Sequence, residues 1–308
     1  MSLLTSILAS TISVAVIMLY ATIGEIISQR AGIMNLGLEG IMLMGAVSAY
    51  FTVVHTHSLA LAILTVIVVG ALLGLIYAFI TVTLQANQVV AGLAMMTFGS
   101  GLSGFIGNSI TGVAANLKFE SLPIPLLSKI PVIGKIFFSQ NLLVYILYVI
   151  VAIVIVYIYK TRPGMTLRAL GENPGALDAV GINVFALRYA YCIVGTILVA
   201  MGGAYMSIAY SNSWQEGMTG GYGWIAAALV VFSAWNPAMA VVGSVLFGFI
   251  SIIGNYMQAY FPFIPVKFVA MLPYIFTIIV LILTTGNFRK KHTEAPAALC
   301  VPYDRESR

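Results

Sequence analysis

The chain has 308 residues, of which 61% are hydrophobic and 7% charged, with a formal net charge of +5. A soluble domain carries roughly a quarter of its residues as Asp, Glu, Lys or Arg and keeps a large wetted exterior at this size, so a soluble globular protein is excluded. The basic residues form no stripe, which excludes a nucleic-acid surface and leaves them as topology signals in loops.

The first apolar run starts at Leu3 with no Lys or Arg before it. It lacks the basic leader of a secretion signal and is long enough to span, so about 3–24 reads as the first membrane helix. Further apolar spans follow at 34–54, 58–84, 88–107, 140–160, 188–209, 222–234, 238–257 and 268–286. Between Gly40 and Leu117 there is no acidic or basic residue apart from His55 and His57, which fall in a short turn and read as solvated. A crossing needs about 20 residues of helix, so 222–234 is too short to cross alone. It begins among Gly217, Gly220, Gly221 and Gly223, as expected of a half-helix whose unwound approach is buried in protein. The segment from Gly32 is punctuated in the same way. The expectation is an all-α polytopic membrane protein with about 8–10 transmembrane helices, including broken or half helices. One break in each half of the chain adds the expectation of an inverted repeat. The Gly- and Ala-rich stretches 92–104 and 196–204 predict close helix approach.

Residues 1–290 form the transmembrane domain in this reading, with a long Pro- and Gly-containing outer loop at 108–139. Residues 291–308 read as a flexible polar cytoplasmic tail. With the N-terminus outside, Arg30, Lys160, Arg162, Arg168, Arg188, Arg289, Lys290, Lys291, Arg305 and Arg308 face the cytoplasm, and Lys118, Lys129, Lys135 and Lys267 face outward. A short element at 222–234 that fails to cross changes this parity. The C-terminus and the 161–187 loop are therefore the firmest cytoplasmic assignments. Cys192 and Cys300 have neither disulfide-framework nor metal-ligand spacing and read as structural thiols.

The 161–187 loop carries the sharpest local grammar. Asn173 can cap a helix with its side-chain oxygen, Pro174 suits the first helical position, and Gly181 suits the left-handed residue that ends it. This predicts about two turns over 174–180, with Ala176, Leu177 and Val180 available for packing. So short a helix is marginal alone in water and must be held by something. That holder is either its own membrane domain or a docked cytoplasmic subunit.

Three blocks, in order along nearly the whole chain, carry a family resemblance. They are Gly24 to Ala46; Arg168-Ala-Leu-Gly-Glu-Asn-Pro-Gly-Ala176 with Val180-Gly-Ile-Asn183; and Gly202-Gly-Ala-Tyr205 followed by Gly220-Gly-Tyr-Gly-Trp-Ile-Ala-Ala-Ala-Leu229 and Trp235-Asn-Pro237. Together they resemble permease subunits of ATP-binding-cassette importers of the simple sugar, nucleoside and branched-chain amino acid group, in detail the shorter permease of nucleoside-type systems associated with a basic-membrane-protein-like receptor. The tail after Arg289 lies outside these blocks. The resemblance implies a multi-pass subunit of a bacterial inner membrane that pairs with a second, longer permease and receives solute from an extracytoplasmic binding protein. It implies that a cytoplasmic ATPase couples through Arg168, Gly171, Glu172, Asn173, Pro174, Ala176, Leu177 and Gly181. No Gly-x-x-x-x-Gly-Lys-Ser/Thr phosphate loop occurs in this sequence. The ATP site is therefore expected on another chain, with no cofactor, metal or catalytic residue here.

Among intramembrane polar residues, Glu39 stands out, because a carboxylate in apolar sequence is costly and needs a partner. Either it lines the path together with Asn35, one helical turn away, or it satisfies free N–H groups where a Gly-rich segment breaks. Glu25, near Arg30, reads as a membrane-edge residue. Tyr222 and Trp224 offer rings on which a nucleobase could stack, while Trp214 reads as an interfacial anchor. Two other classes stand behind. An ion-gradient-driven transporter needs intramembrane ionisable groups, of which Glu39 is the lone candidate. A membrane enzyme needs clustered His, Asp, Glu or Cys, which the sequence lacks.

Overall fold

A computed structural model describes residues 3–115, 117–260 and 295–304, together with 268, 271, 272, 274–276, 278, 279 and 282. The ordered elements are α1 (Leu3–Arg30), α2 (Leu38–Thr56), α3 (Leu59–Ala78), α4 (Gln88–Gly107), α5 (Ile133–Phe137), α6 (Leu142–Lys160), α7 (Arg162–Glu172), α8 (Pro174–Ala179), α9 (Val184–Tyr205), α10 (Tyr222–Phe232) and α11 (Pro237–Tyr260). Seven helices among the described residues are long and apolar enough to cross a membrane, and α10 is the shorter apolar helix at the expected place. The expected span at 268–286 lies largely outside the described residues.

Helices α1, α2 and α9 make the centre of the bundle. α9 packs on α1, α2 and α3; α1 also packs on α10 and α11; and α2 also meets α3 and α4. The close approach expected from small residues is real. A Cβ on Gly99 of α4 would collide with the backbone of Gly40 in α2, and one on Gly203 of α9 with the backbone of Met42. In a hydrocarbon solvent such backbone contact, with its dispersion gain, substitutes for the hydrophobic drive that water would supply. Helices α3 and α9 each end in a π-helical turn, Phe79–Thr83 and Met206–Tyr210. The second turns Ser207 toward α2, where its hydroxyl donates to the Ala46 carbonyl at 2.8 Å.

Cross-links sort the connections into two ends. At one, Arg30 Nε donates to the Trp235 carbonyl at 2.8 Å, Gln85 Nε2 to the Tyr303 carbonyl at 3.2 Å, and Ala298 N to the Gly171 carbonyl at 2.8 Å. At the other, the Tyr50 hydroxyl donates to the Val113 carbonyl at 2.6 Å and Phe119 N to the Ile208 carbonyl at 3.2 Å. The 108–141 segment covers this second end and contains α5 and a single bridge between Ser121 and Asn141. Residues 295–304 depart from the expectation of a flexible tail. Their backbone groups pair with Gly171, Gly32 and Arg188, so the segment is docked on the first end.

Candidate functional site

Two constructions carry the chemistry of this chain. One is a pair of capped helices on the Arg30 end, and the other is the meeting of two chain breaks inside the bundle.

Thr161 caps α7 by accepting from Gly164 N at 3.1 Å, with Pro163 in the first turn. Leu167 and Leu170 are buried beneath α7 and Gly171 packs on the Arg30 carbonyl. The sequence reading missed this helix, although Thr161-Arg-Pro163 has the same start signal as the helix it found. Helix α8 matches that reading closely. Asn173 Oδ1 accepts from Ala176 N at 3.0 Å, Pro174 opens the helix, and Gly181 has φ +82°. Ile182 N closes the end on the Leu177 carbonyl at 3.0 Å. Leu177 is buried in its own chain, which holds the short helix down. Met165, 57% exposed, and Val180, 71% exposed, point away from it. Arg168 is half-buried, and Glu172, Asn173 and Ala176 are exposed.

The second construction centres on Glu39, in the first turn of α2. Its Oε1 accepts from the Thr219 hydroxyl at 2.6 Å and Gly221 N at 2.8 Å, and its Oε2 from Gly223 N at 2.8 Å. Helix α10 has no side-chain cap of its own. The first amides of a helix have no partner within it, and their aligned dipoles favour a negative group there. A carboxylate from the first break therefore caps the half-helix that starts at the second. Gly223 is required by this approach, since a Cβ there would meet the Glu39 backbone and carboxylate.

Asn35 does not share this site. It lies in the non-helical link before α2, where its Oδ1 accepts from Gly37 N and its own N donates to Glu25 Oε1, both at 2.8 Å. Glu25 is buried within the bundle. Gln29 Nε2 donates to it at 2.8 Å, and Gln29 Oε1 in turn accepts from Trp235 Nε1 at 2.7 Å. This Glu25–Gln29–Trp235 chain joins α1 to the α10–α11 turn, where Ala234 and Trp235 both have positive φ. Tyr222 lies between the two capped glycines and is half-buried, and Trp224 is exposed. Trp214 is no interfacial anchor. It is buried, its ring lying over Gly107 of α4.

A bundle of apolar helices with a short, carboxylate-capped helix and a capped helix pair at one end is the architecture of a polytopic all-α membrane protein. The chain belongs to the family of branched-chain amino acid transport system permease components, whose model matches residues 7–285. It is similar to the nucleoside ABC transporter permease protein NupC of Lactococcus lactis, at 38% identity over 88% of this chain and 89% of the relative. It is also similar to the guanosine ABC transporter permease protein NupQ of Bacillus subtilis, at 34% over 98% of this chain and 97% of the relative. The putative glucose ABC transporter permease protein TsgC13 of Haloferax volcanii is 33% identical over 99% of both chains. No solved structure matches.

Proposed function

We propose that this chain is the membrane-spanning subunit of an ATP-driven nucleoside importer, working in an inner membrane with its Arg30 end in the cytoplasm. The α7–α8 pair carries this reading. Short helices with fixed ends, α7 seated on α6 and α1 and α8 on α9, present Met165 and Val180 outward and make a stiff handle for another protein. Arg30, Lys160, Arg162, Arg168 and Arg188 gather at the same end, as the excess of Lys and Arg in cytoplasmic loops requires. The docking of residues 295–304 at this same end supports a cytoplasmic side for them in this reading.

In this scheme a separate ATPase binds and hydrolyses ATP, so the permease needs no cofactor. Closure of the ATPase displaces Arg168, Gly171, Glu172, Asn173, Pro174, Ala176, Leu177 and Gly181 as one unit. That displacement biases the bundle between outward- and inward-facing states. A second, longer permease completes the path, and an extracytoplasmic binding protein delivers the solute. Glu39 keeps α10 seated, while Tyr222 and Trp224, in the first turn of α10, are the rings for a nucleobase to meet.

Nucleoside as cargo is supported by the Lactococcus lactis and Bacillus subtilis relatives named for nucleoside and guanosine transport. Glucose is the second reading, favoured by the full-length match to the putative glucose permease. Proteoliposomes containing this chain, its partner permease, the ATPase and the binding protein should accumulate labelled guanosine only with ATP inside the coupled compartment. Uptake that persists without the ATPase defeats the mechanism, and uptake of glucose alone transfers the cargo to the second reading.

A further inference from the structure

Residues 295–304 lie beyond the family match, which ends at residue 285, yet this short segment touches four separate parts of the cytoplasmic end. Ala298 N donates to the Gly171 carbonyl at 2.8 Å, at the last turn of α7, and Cys300 N to the Gly32 carbonyl at 3.2 Å, in the α1–α2 link. Arg188 Nη1, near the start of α9, donates to the Val301 carbonyl at 3.2 Å. Gln85, just after the π-turn of α3, donates to the Tyr303 carbonyl at 3.2 Å, and the Phe185 and Tyr303 rings lie 5.7 Å apart. Pro296 packs over Gly171, and the Ala298 carbonyl lies over Gly32.

The burial beneath the segment is what gives it mechanical meaning. Ala298 is 7% exposed and Arg188 only 2% exposed. A buried guanidinium is costly unless hydrogen-bonded, and the Val301 carbonyl is a bond that Arg188 makes to this segment. Each of the four hydrogen bonds uses a backbone group of the segment, two with backbone partners and two with side-chain donors, and their direction and length are fixed. They resist sliding better than apolar contact, which has no preferred direction. Helix α7 is otherwise seated on α6 and α1, and α8 on α9, while the Tyr191 hydroxyl of α9 donates to the Pro163 carbonyl in the first turn of α7 at 3.5 Å.

We propose that residues 296–303 are a clasp that fixes the end of α7 to the α1–α2 link and to the foot of α9. A displacement delivered to α7–α8 then moves α1 and α9 together instead of bending α7 away from them. The clasp stays closed through the transport cycle, so it is a positioning element that touches neither solute nor nucleotide. This rests on the reading of α7–α8 as the handle of an ATPase.

The test uses the assembled importer in proteoliposomes and compares wild type with Ala298→Glu and with a chain ending at Glu294. Ala298→Glu forces a carboxylate into the seam between Gly171 and Gly32 while keeping the chain complete. The quantity measured is ATP hydrolysed per guanosine imported, on complexes that retain the ATPase through purification. The clasp predicts that both variants retain the ATPase and hydrolyse ATP, with the ratio rising at least about fivefold, the lower end of a typical coupling between sites. An unchanged ratio overturns the clasp. Loss of the ATPase from both variants also overturns it, since the segment would then be a binding surface. A second measurement is independent of transport. In a Cys300→Ser background, Phe185→Cys with Tyr303→Cys should cross-link with a short bismaleimide at equal rates in resting and vanadate-trapped complexes, and a marked fall on trapping overturns a permanently closed clasp. Failure of ATP-dependent uptake by the wild-type complex defeats the importer reading and leaves the resting cross-link as a separate check on the docked geometry.

Discussion

The Glu39 cap yields the most direct quantitative test. Glu39→Ala removes the acceptor for three donors, of which the Thr219 hydroxyl and Gly223 N–H are buried and Gly221 N–H is half-buried. A buried donor left without a partner costs about 1–3 kcal/mol, so the two buried ones together cost about 4 kcal/mol. Loss of negative charge at a helix N-terminus adds about 0.5 kcal/mol. Glu39→Gln keeps one good acceptor but turns an NH2 group toward a donor, and should lose about half as much.

Thermal melting of the purified permease in nanodiscs reads this directly. For a chain of this length the Glu39→Ala loss corresponds to a fall in Tm on the order of 8 °C, with Glu39→Gln between that and wild type. Thr219→Val supplies the control, because it removes one donor of the same set. Glu39→Ala combined with Thr219→Val should therefore cost clearly less than the sum of the two changes. A Glu39→Ala protein melting within about 1 °C of wild type, or strict additivity in the double variant, would refute the capping argument. Glu39 would then have to be explained by the solute path.

Asn173→Ala removes the α8 cap and should destabilise the handle by about 1 kcal/mol, seen as a several-fold loss of ATP-driven uptake that Asn173→Ser restores. Val180→Asp changes an exposed side chain and should leave the Tm within about 1 °C of wild type while weakening ATPase retention in pull-downs. Trp235→Phe leaves Gln29 Oε1 without its indole donor and should cost about 1–3 kcal/mol, read as a lowered Tm. The Cys300 thiol is held above its ordinary pKa by burial, with the Glu25 charge a smaller cause. A raised pKa means less thiolate at a given pH, so the alkylation rate of Cys300 should rise at higher pH than that of a free cysteine and move toward it in Ala298→Glu.

How much of this was legible in the sequence follows from the range of each interaction. The ends of α8 were readable because a cap, an N1 proline and a left-handed glycine all act within a few residues. The spans were readable because hydrocarbon tolerates little but apolar helix, and the short reach of α10 followed from counting. Helix α7 carried a local start signal too, but two of the four residues on its buried face, Gly164, Leu167, Leu170 and Gly171, are glycines, which read as breaks in a sequence. The Glu25–Gln29–Trp235 chain was out of reach, since residues 29 and 235 are brought together only by the packing of α10 and α11 on α1. The tail misled for a different reason. The composition of residues 295–304 offers no apolar stripe, and the bonds that hold them run through their own backbone groups, which composition does not encode.

The two breaks show where local and global information join. Glycines at 32–40 and 217–223 reveal that the helical ladder stops, and Glu39 reveals that a polar group is buried, but neither says that one answers the other. The fold supplies that link by running α10 beside the start of α2, so the orphan amides of one break face the carboxylate of the other. A break in a membrane helix is stable only when its freed groups are satisfied by protein. Using the partner break to do so makes the seat of α10 depend on the position of α2. The start of α2 is in turn fixed through Asn35 to Glu25 on α1, and α1 carries the Gly171 end of α7 on its last residue, Arg30. In the proposed scheme a shift at α7 reaches α10 through the Gly171–Arg30 packing and then through short polar contacts, which have discrete alternatives between which a two-state gate can switch.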